Sequence, residues 1–296
     1  MQGYAWWYLD ALSDDGQFGL TMIAFVGSVF SPYYKKSGRN DPENHCALNV
    51  ALYGPRAARW VMNEKSARHI HRSRNEFTIG KSSLNWGDDT LTISVHENTA
   101  PFNRSLSGTI KVYTHGLGKH AFYIDNSGRH RWRPLSPSCR IELDFKSPSL
   151  KWAGAGYLDS NDGDEPLEDA FRFWDWSRTT LDRDRTAILY NTDTMHGPSR
   201  LSAMLVDKYG DITDFETPPA VRLPSTPIFR IKRRTRSESG AKIIQTLEDT
   251  PFYSRSIIRT ELFGKKRRAI HESLVGPRLN SPIVQFMLPY RMPRIE

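Results

Sequence analysis

Apolar and polar positions alternate along much of the chain. Leu91, Ile93 and Val95 alternate with Thr92 and Ser94, and Ile141, Leu143 and Phe145 with Glu142 and Asp144. A period of two puts each apolar set on one face of a strand. Turn signals punctuate these runs: Gly87-Asp88-Asp89, Ser107-Gly108, Asp125-Asn126-Ser127-Gly128 and Asp162-Gly163-Asp164. Short strands separated by Gly, Asn, Asp and Pro predict a mainly β protein, an antiparallel sandwich or barrel. Residues 165–171 offer one short helical turn, and 18 prolines spread along the chain oppose long helices. The longest apolar run, 20–30, falls short of the ~20 residues a membrane-spanning helix needs. Aromatic, strand-like sequence resumes after the turn at 161–166. A division near residue 165 is therefore expected, with one β domain over 1–165 and a second over 166–296.

Composition narrows the class. The chain has 296 residues, a formal net charge of +8, and 14 Phe, 12 Tyr and 8 Trp. That aromatic content excludes disorder and points to an apolar ligand. Cys46 and Cys139 lie far apart with no Cys-x-x-Cys spacing, which excludes a disulfide scaffold and a thiolate zinc site. Two buried free thiols are expected. Asp10, Asp14 and Asp15 sit where a signal peptide would carry its basic and apolar regions, so none is expected. Basic runs at 232–236 and 265–268 contain no stacking aromatics, which argues against nucleic acid. They suit either anionic lipid headgroups or a plain solvated face.

Short motifs fail on inspection. Gly80-Lys81-Ser82 lacks the first glycine of a phosphate loop, because position 75 is Asn75. Gly154 and Gly156 would need a glycine where Asp159 stands, and His271-Glu272 lacks a second His at Val275. His69 and His71 are crowded by Arg68, Arg72 and Arg74. No metal and no cofactor are expected.

Residues 129–176 are the most informative. His130 and Trp132 share a strand face, as do Tyr157 and Asp159, and as do Trp174 and Trp176. If these strands share an interior, one carboxyl and one imidazole sit among aromatic rings. A buried Asp keeps its proton near neutral pH, and ring faces attract cations. Such a group is suited to protonating an alkene and sheltering the carbocation. The same residues also fit an aromatic core with Asp159 capping the turn at 161–163. Asp10, Asp162 and Asp175 are secondary acid candidates, expected respectively as a surface carboxylate, a turn residue and an arginine partner. His45 is expected as a satisfied core histidine, and Glu248 and Asp249 as structural.

Longer blocks carry a resemblance. Gly3-Tyr4-Ala5-Trp6-Trp7-Tyr8-Leu9-Asp10, Asn44-His45-Cys46-Ala47-Leu48-Asn49-Val50 and Gly156-Tyr157-Leu158-Asp159-Ser160-Asn161 are similar to segments of the carotenoid 1,2-hydratases, also called hydroxyneurosporene synthases. So are Trp174-Asp175-Trp176-Ser177-Arg178, Leu247-Glu248-Asp249-Thr250-Pro251-Phe252-Tyr253 and Met287-Leu288-Pro289-Tyr290-Arg291. Many relatives carry extra residues before the first block. The resemblance implies two lipocalin-like β domains and cofactor-independent addition of water to the terminal 1,2 double bond of acyclic carotenoids such as neurosporene and lycopene. It places the acid on Asp159, with His130, Trp132 and Tyr157 around it, and substrate contacts on Trp7, Trp174 and Trp176. Trp132 and Tyr157 are expected to shelter the cation through their ring faces, and the Asp159 carboxylate or His130 to take the proton from water. A membrane-resident polyene implies peripheral docking on the cytoplasmic face of an inner or photosynthetic membrane. The rival functions are a non-catalytic carrier of an apolar ligand, a cyclase or isomerase on the same framework, and a glycan-active β protein.

Overall fold

The computed structural model describes residues 3–295. It is mainly β, in two large sheets that share an aromatic core. The first sheet has thirteen strands among the described residues and curls into a half-barrel. Its centre runs in space through Cys46–Tyr53, Gly19–Val26, Tyr4–Ser13, Leu150–Gly163 and His130–Ser147. The second sheet has seven strands, centred on Arg185–Thr194, Phe171–Thr180, Lys265–Leu274 and Tyr253–Leu262.

The alternation explains the first core. Leu91, Ile93, Val95, Ile141, Leu143 and Phe145 all turn into it, while Glu142 and Asp144 face solvent. The apolar run at 20–30 is accounted for by a strand covered on both sides. Leu20, Met22, Ala24 and Val26 enter the first core, and Phe25 enters the aromatic core between the sheets. The helical turn expected at 165–171 is Leu167–Ala170. Both cysteines are buried free thiols, and burial pushes the Cys139 thiol up to about 12.

The change from one sheet to the other falls between Gly163 and Phe171. The chain then returns: Arg294–Ile295 pairs in parallel with Arg59–Lys65 of the first sheet. Arg294 donates to Glu64 Oε1 at 2.5 Å, and His45 Nδ1 lies 2.8 Å from the same oxygen. His45 is thus the satisfied core histidine its sequence setting suggests.

The basic run at 232–236, expected as a solvated loop or basic edge strand, is in part a strand of a two-stranded ribbon, with Lys232 exposed. Arg233 is buried and donates to Thr246, Ser256 and backbone carbonyls, and Arg234 pairs with Asp175 and Asp193. The Arg233–Arg236 strand forms a ribbon with Ala220–Leu223 and turns Arg233 and Thr235 inward, while Arg234, 35% exposed, is held by two carboxylates.

Candidate active site

Five strands of the two sheets meet here. Tyr4–Ser13 pairs with Leu150–Gly163 so that Tyr8 lies opposite Asp159 and Trp6 opposite Asn161. In the other sheet Phe171–Thr180 pairs with Lys265–Leu274, setting Trp176 opposite Glu272. Trp6, Tyr8, Asp159 and Asn161 thereby face Trp174, Trp176, Tyr190 and Glu272 across a cleft of about 40 Å3. That volume holds roughly one or two water molecules.

Asp159 is 5% exposed. Its Oδ2 accepts from Trp132 Nε1 at 2.8 Å and from Tyr157 Oη at 2.7 Å, while the buried Oδ1 has no hydrogen-bond partner. Burial pushes the carboxyl up to about 8, against the opposing pull of the Trp132 and Tyr157 bonds. The Glu272 and Asp10 charges add to the rise. With both donors on Oδ2, the acid proton belongs on Oδ1.

Trp174 and Trp176 are brought to Asp159, but other expected residues are placed differently. Trp132 and Tyr157 meet Asp159 through their N–H and O–H groups rather than offering it ring faces. The rings that wall the cleft belong to Trp6, Trp174, Trp176 and Tyr190. Trp7 points the other way and packs edge-on against Phe77 in the first core, since its strand alternates and Trp6 and Tyr8 take the cleft face. His130 lies four residues along its strand from the partner of Asp159, roughly 13 Å at the strand rise. It shares a 2.7 Å hydrogen bond with Tyr4 Oη, and its Nε2 lies 3.4 Å from Glu165. Gly163 makes room for this bond, because a Cβ there would sit 2.7 Å from His130 Nδ1.

Asp125, His130 and Glu165 offer ligand atoms within 4.8 Å of one another. Asp125 already accepts from the Ser127 and His130 amides and the Ser127 hydroxyl, and Glu165 is paired with Arg129. These donors are spent on holding the loop, and the trio reads as a structural tie.

Asp10 is no surface carboxylate. It is buried, pairs with Arg178 (Nε to Oδ1, 2.8 Å) and lies 3.0 Å from Tyr8 Oη. The pair lies behind Tyr8, which lines the cleft. Beyond it lies an open basic cleft of about 420 Å3, with Arg178, Lys266 and Arg268 on its walls.

Sequence reasoning missed Trp6, Tyr8, Asn161, Tyr190 and Glu272. Period two from Tyr157 and Asp159 reaches Asn161, a signal that was there to extend. Tyr190 and Glu272 had none, because they arrive on strands whose pairing is set by the whole fold.

Comparison with known proteins bears on this geometry. The family described as carotenoid hydratase CrtC matches residues 22–296. The acyclic carotenoid 1,2-hydratase of Thiocapsa roseopersicina is 49% identical over 298 residues, covering 99% of this chain and 73% of that protein. The one from Rubrivivax gelatinosus is 47% identical over 299 residues with the same coverage. That of Rhodobacter capsulatus is 35% identical over 277 residues, 92% of this chain and 97% of its own. Among solved structures, a Nitrosomonas europaea protein described as AttH superposes with a TM-score of 0.65 at 13% identity over 92% of each chain. CghA bound to Sch210972 gives 0.56 at 12%, over 93% of this chain and 88% of that one. At such identities the two structures speak to the fold alone, which is lipocalin-like.

Proposed function

This chain belongs to the carotenoid hydratase family, and we propose that it hydrates acyclic carotenoids at Asp159 without a cofactor, the acid coming from one sheet and most of the cation-sheltering rings from the other. It is a hydro-lyase. Protonated Asp159 Oδ1 gives its proton to C2 of the terminal double bond, and the charge settles on C1, the tertiary centre. The Trp6, Trp174, Trp176 and Tyr190 rings face that charge, each worth about 2 kcal/mol where water is excluded. Trp132 and Tyr157 act as positioning residues that hold Oδ2 and aim Oδ1. The observation that carries the reading is one buried carboxyl whose free oxygen meets an aromatic-walled cleft. The division at residue 165 fits it, since the acid comes from the first unit and most of the rings from the second.

Acid catalysis sets a pH dependence. Asp159 titrates at about 8, so the proton donor is fully present below that value and falls tenfold per unit above it. Initial hydration rates should be flat up to about pH 7 and decline with unit slope beyond about pH 8. A decline beginning near pH 4 would remove Asp159 as the acid.

The end group is larger than the cleft, so side chains must part to admit it. A run of rings leads away from Trp6 through Phe25 and Phe30 to Phe252, with centroids 5.4–6.1 Å apart. Phe252 is tied to the turn that precedes the Pro282–Arg291 helix, its carbonyl accepting from Val275 N. We take this run as the route for the polyene. No helix among the described residues is long and apolar enough to cross a membrane. The Pro282–Arg291 helix instead presents Ile283, Phe286 and Tyr290 outward, 71%, 68% and 65% exposed on one face. The Pro32–Lys36 helix contacts it, and Lys36 there is exposed. We read this stripe as the bilayer contact. The double variant Ile283→Ser, Phe286→Ser should bind anionic vesicles at least roughly ten-fold more weakly in flotation, with its melting temperature unchanged. Undiminished flotation would place the contact elsewhere.

A further inference from the structure

We infer that Asn161 and Trp176 hold the attacking water and that Glu272 is the base that takes its proton; this rests on the reading of Asp159 as the acid. Three polar atoms from residues that line the same cleft have no hydrogen-bond partner: Asp159 Oδ1, Asn161 Nδ2 and Trp176 Nε1. All three residues are more than nine-tenths buried, and Asn161 also faces the Tyr190 hydroxyl. Orphaned polar atoms at this depth are costly unless something polar meets them, and each of the one or two waters the cleft holds can accept from one donor and keep a lone pair for C1.

Glu272 reaches the cleft from the sheet opposite Asp159. Its Oε1 accepts from Arg255 Nε and Nη2 at 3.0 and 2.8 Å and lies 2.7 Å from Tyr8 Oη. Arg255 is itself buried and shared with Glu248. The Glu272 charge is therefore matched and fixed, and every one of these bonds falls on Oε1, leaving Oε2 outside the network. His130 is too far along its strand to serve as this base.

The balance closes without a co-reactant. The C1=C2 electron pair takes the proton from Asp159 Oδ1, forming a C2–H bond and a cation at C1. A water lone pair forms the C1–O bond, and one O–H bond of the resulting oxonium breaks, its proton passing to Glu272. An oxonium is a strong acid, so a fixed carboxylate is base enough. The Asp159 carboxylate, left charged in apolar surroundings, then draws the proton back from Glu272. One water is consumed and both carboxyls are restored.

The test separates water capture from protonation. Purified enzyme is incubated with lycopene in D2O, and both hydroxylated product and deuterium in the recovered carotenoid are measured by mass. Glu272→Gln should lose product at least 10²-fold while deuterium still enters the recovered alkene, because the cation forms and collapses back. Asn161→Leu, which leaves Arg255 paired, should lose product at least ten-fold with the same exchange retained. Parental product from either variant would overturn the inference, as would parallel loss of product and exchange in folded Asn161→Leu. Asp159→Asn should lose both signals; if it keeps both, the acid assignment fails independently of Glu272.

Discussion

Asp159→Asn should abolish hydroxylated product, a loss of at least roughly 10²–10⁴-fold, while making the fold more stable at neutral pH. An aspartate in the unfolded chain titrates near ~3.9, and Asp159 in the fold at about 8. Between those values the fold binds more protons than the unfolded chain, so stability falls as pH rises from about 4 to about 8. At about 1.4 kcal/mol per unit, the loss amounts to at most roughly 6 kcal/mol. Asparagine carries no such titration. Denaturant unfolding at about pH 5 and pH 8 should show a decline in the parent that shrinks in the variant, alongside mass analysis of product. A dead enzyme that is also less stable at both pH values would mean that Asp159 serves the core and not the chemistry. Retained turnover would place the proton donor elsewhere.

The second large effect is structural. Arg178→Met should cost about 3–5 kcal/mol, because it leaves Asp10 buried and unpaired between the sheets. Adding Asp10→Leu should recover most of that loss, since an apolar pair of similar volume carries no desolvation penalty. Tyr8 keeps its partner Glu272 in either variant. Chemical denaturation of both single variants and the double gives the cycle directly. A double variant as unstable as Arg178→Met alone would show that the site requires charge rather than volume.

The strands were legible in sequence wherever one face is wet. Leu91-Thr92-Ile93 and Leu143-Asp144-Phe145 announce their faces, because solvent tolerates the intervening residues. Spacing put Tyr157 and Asp159, and Trp174 and Trp176, each on one strand face, but it fitted a turn cap and an aromatic core equally, and only the resemblance of the longer blocks singled out Asp159. Choosing between Trp6 and Trp7 was not possible from alternation. Both neighbours are large and apolar, and the Tyr4–Ser13 strand is covered on both sides, so period two leaves the face undecided. Charge misled in the same way. Arg233 and Arg234 look like a surface run until the ribbon turns them toward Ser256, Asp175 and Asp193. Asp10 looked exposed because its partner, Arg178, lies 168 positions away. Glu272 came into view only with the pairing of Phe171–Thr180 and Lys265–Leu274, and His130 left the site once its register was fixed.

The Asp10–Arg178 pair also bears on bookkeeping at the level of the whole molecule being hydrated. On the proposed route, a greasy tail has no reason to push on past Tyr8 through a desolvated guanidinium and carboxylate, so the end group stops at the acid. A carotenoid identical at its two termini would then present one terminus per visit. To gain a second hydroxyl it must back out, turn round and enter again, so the mono-alcohol is a released species and not a captive intermediate.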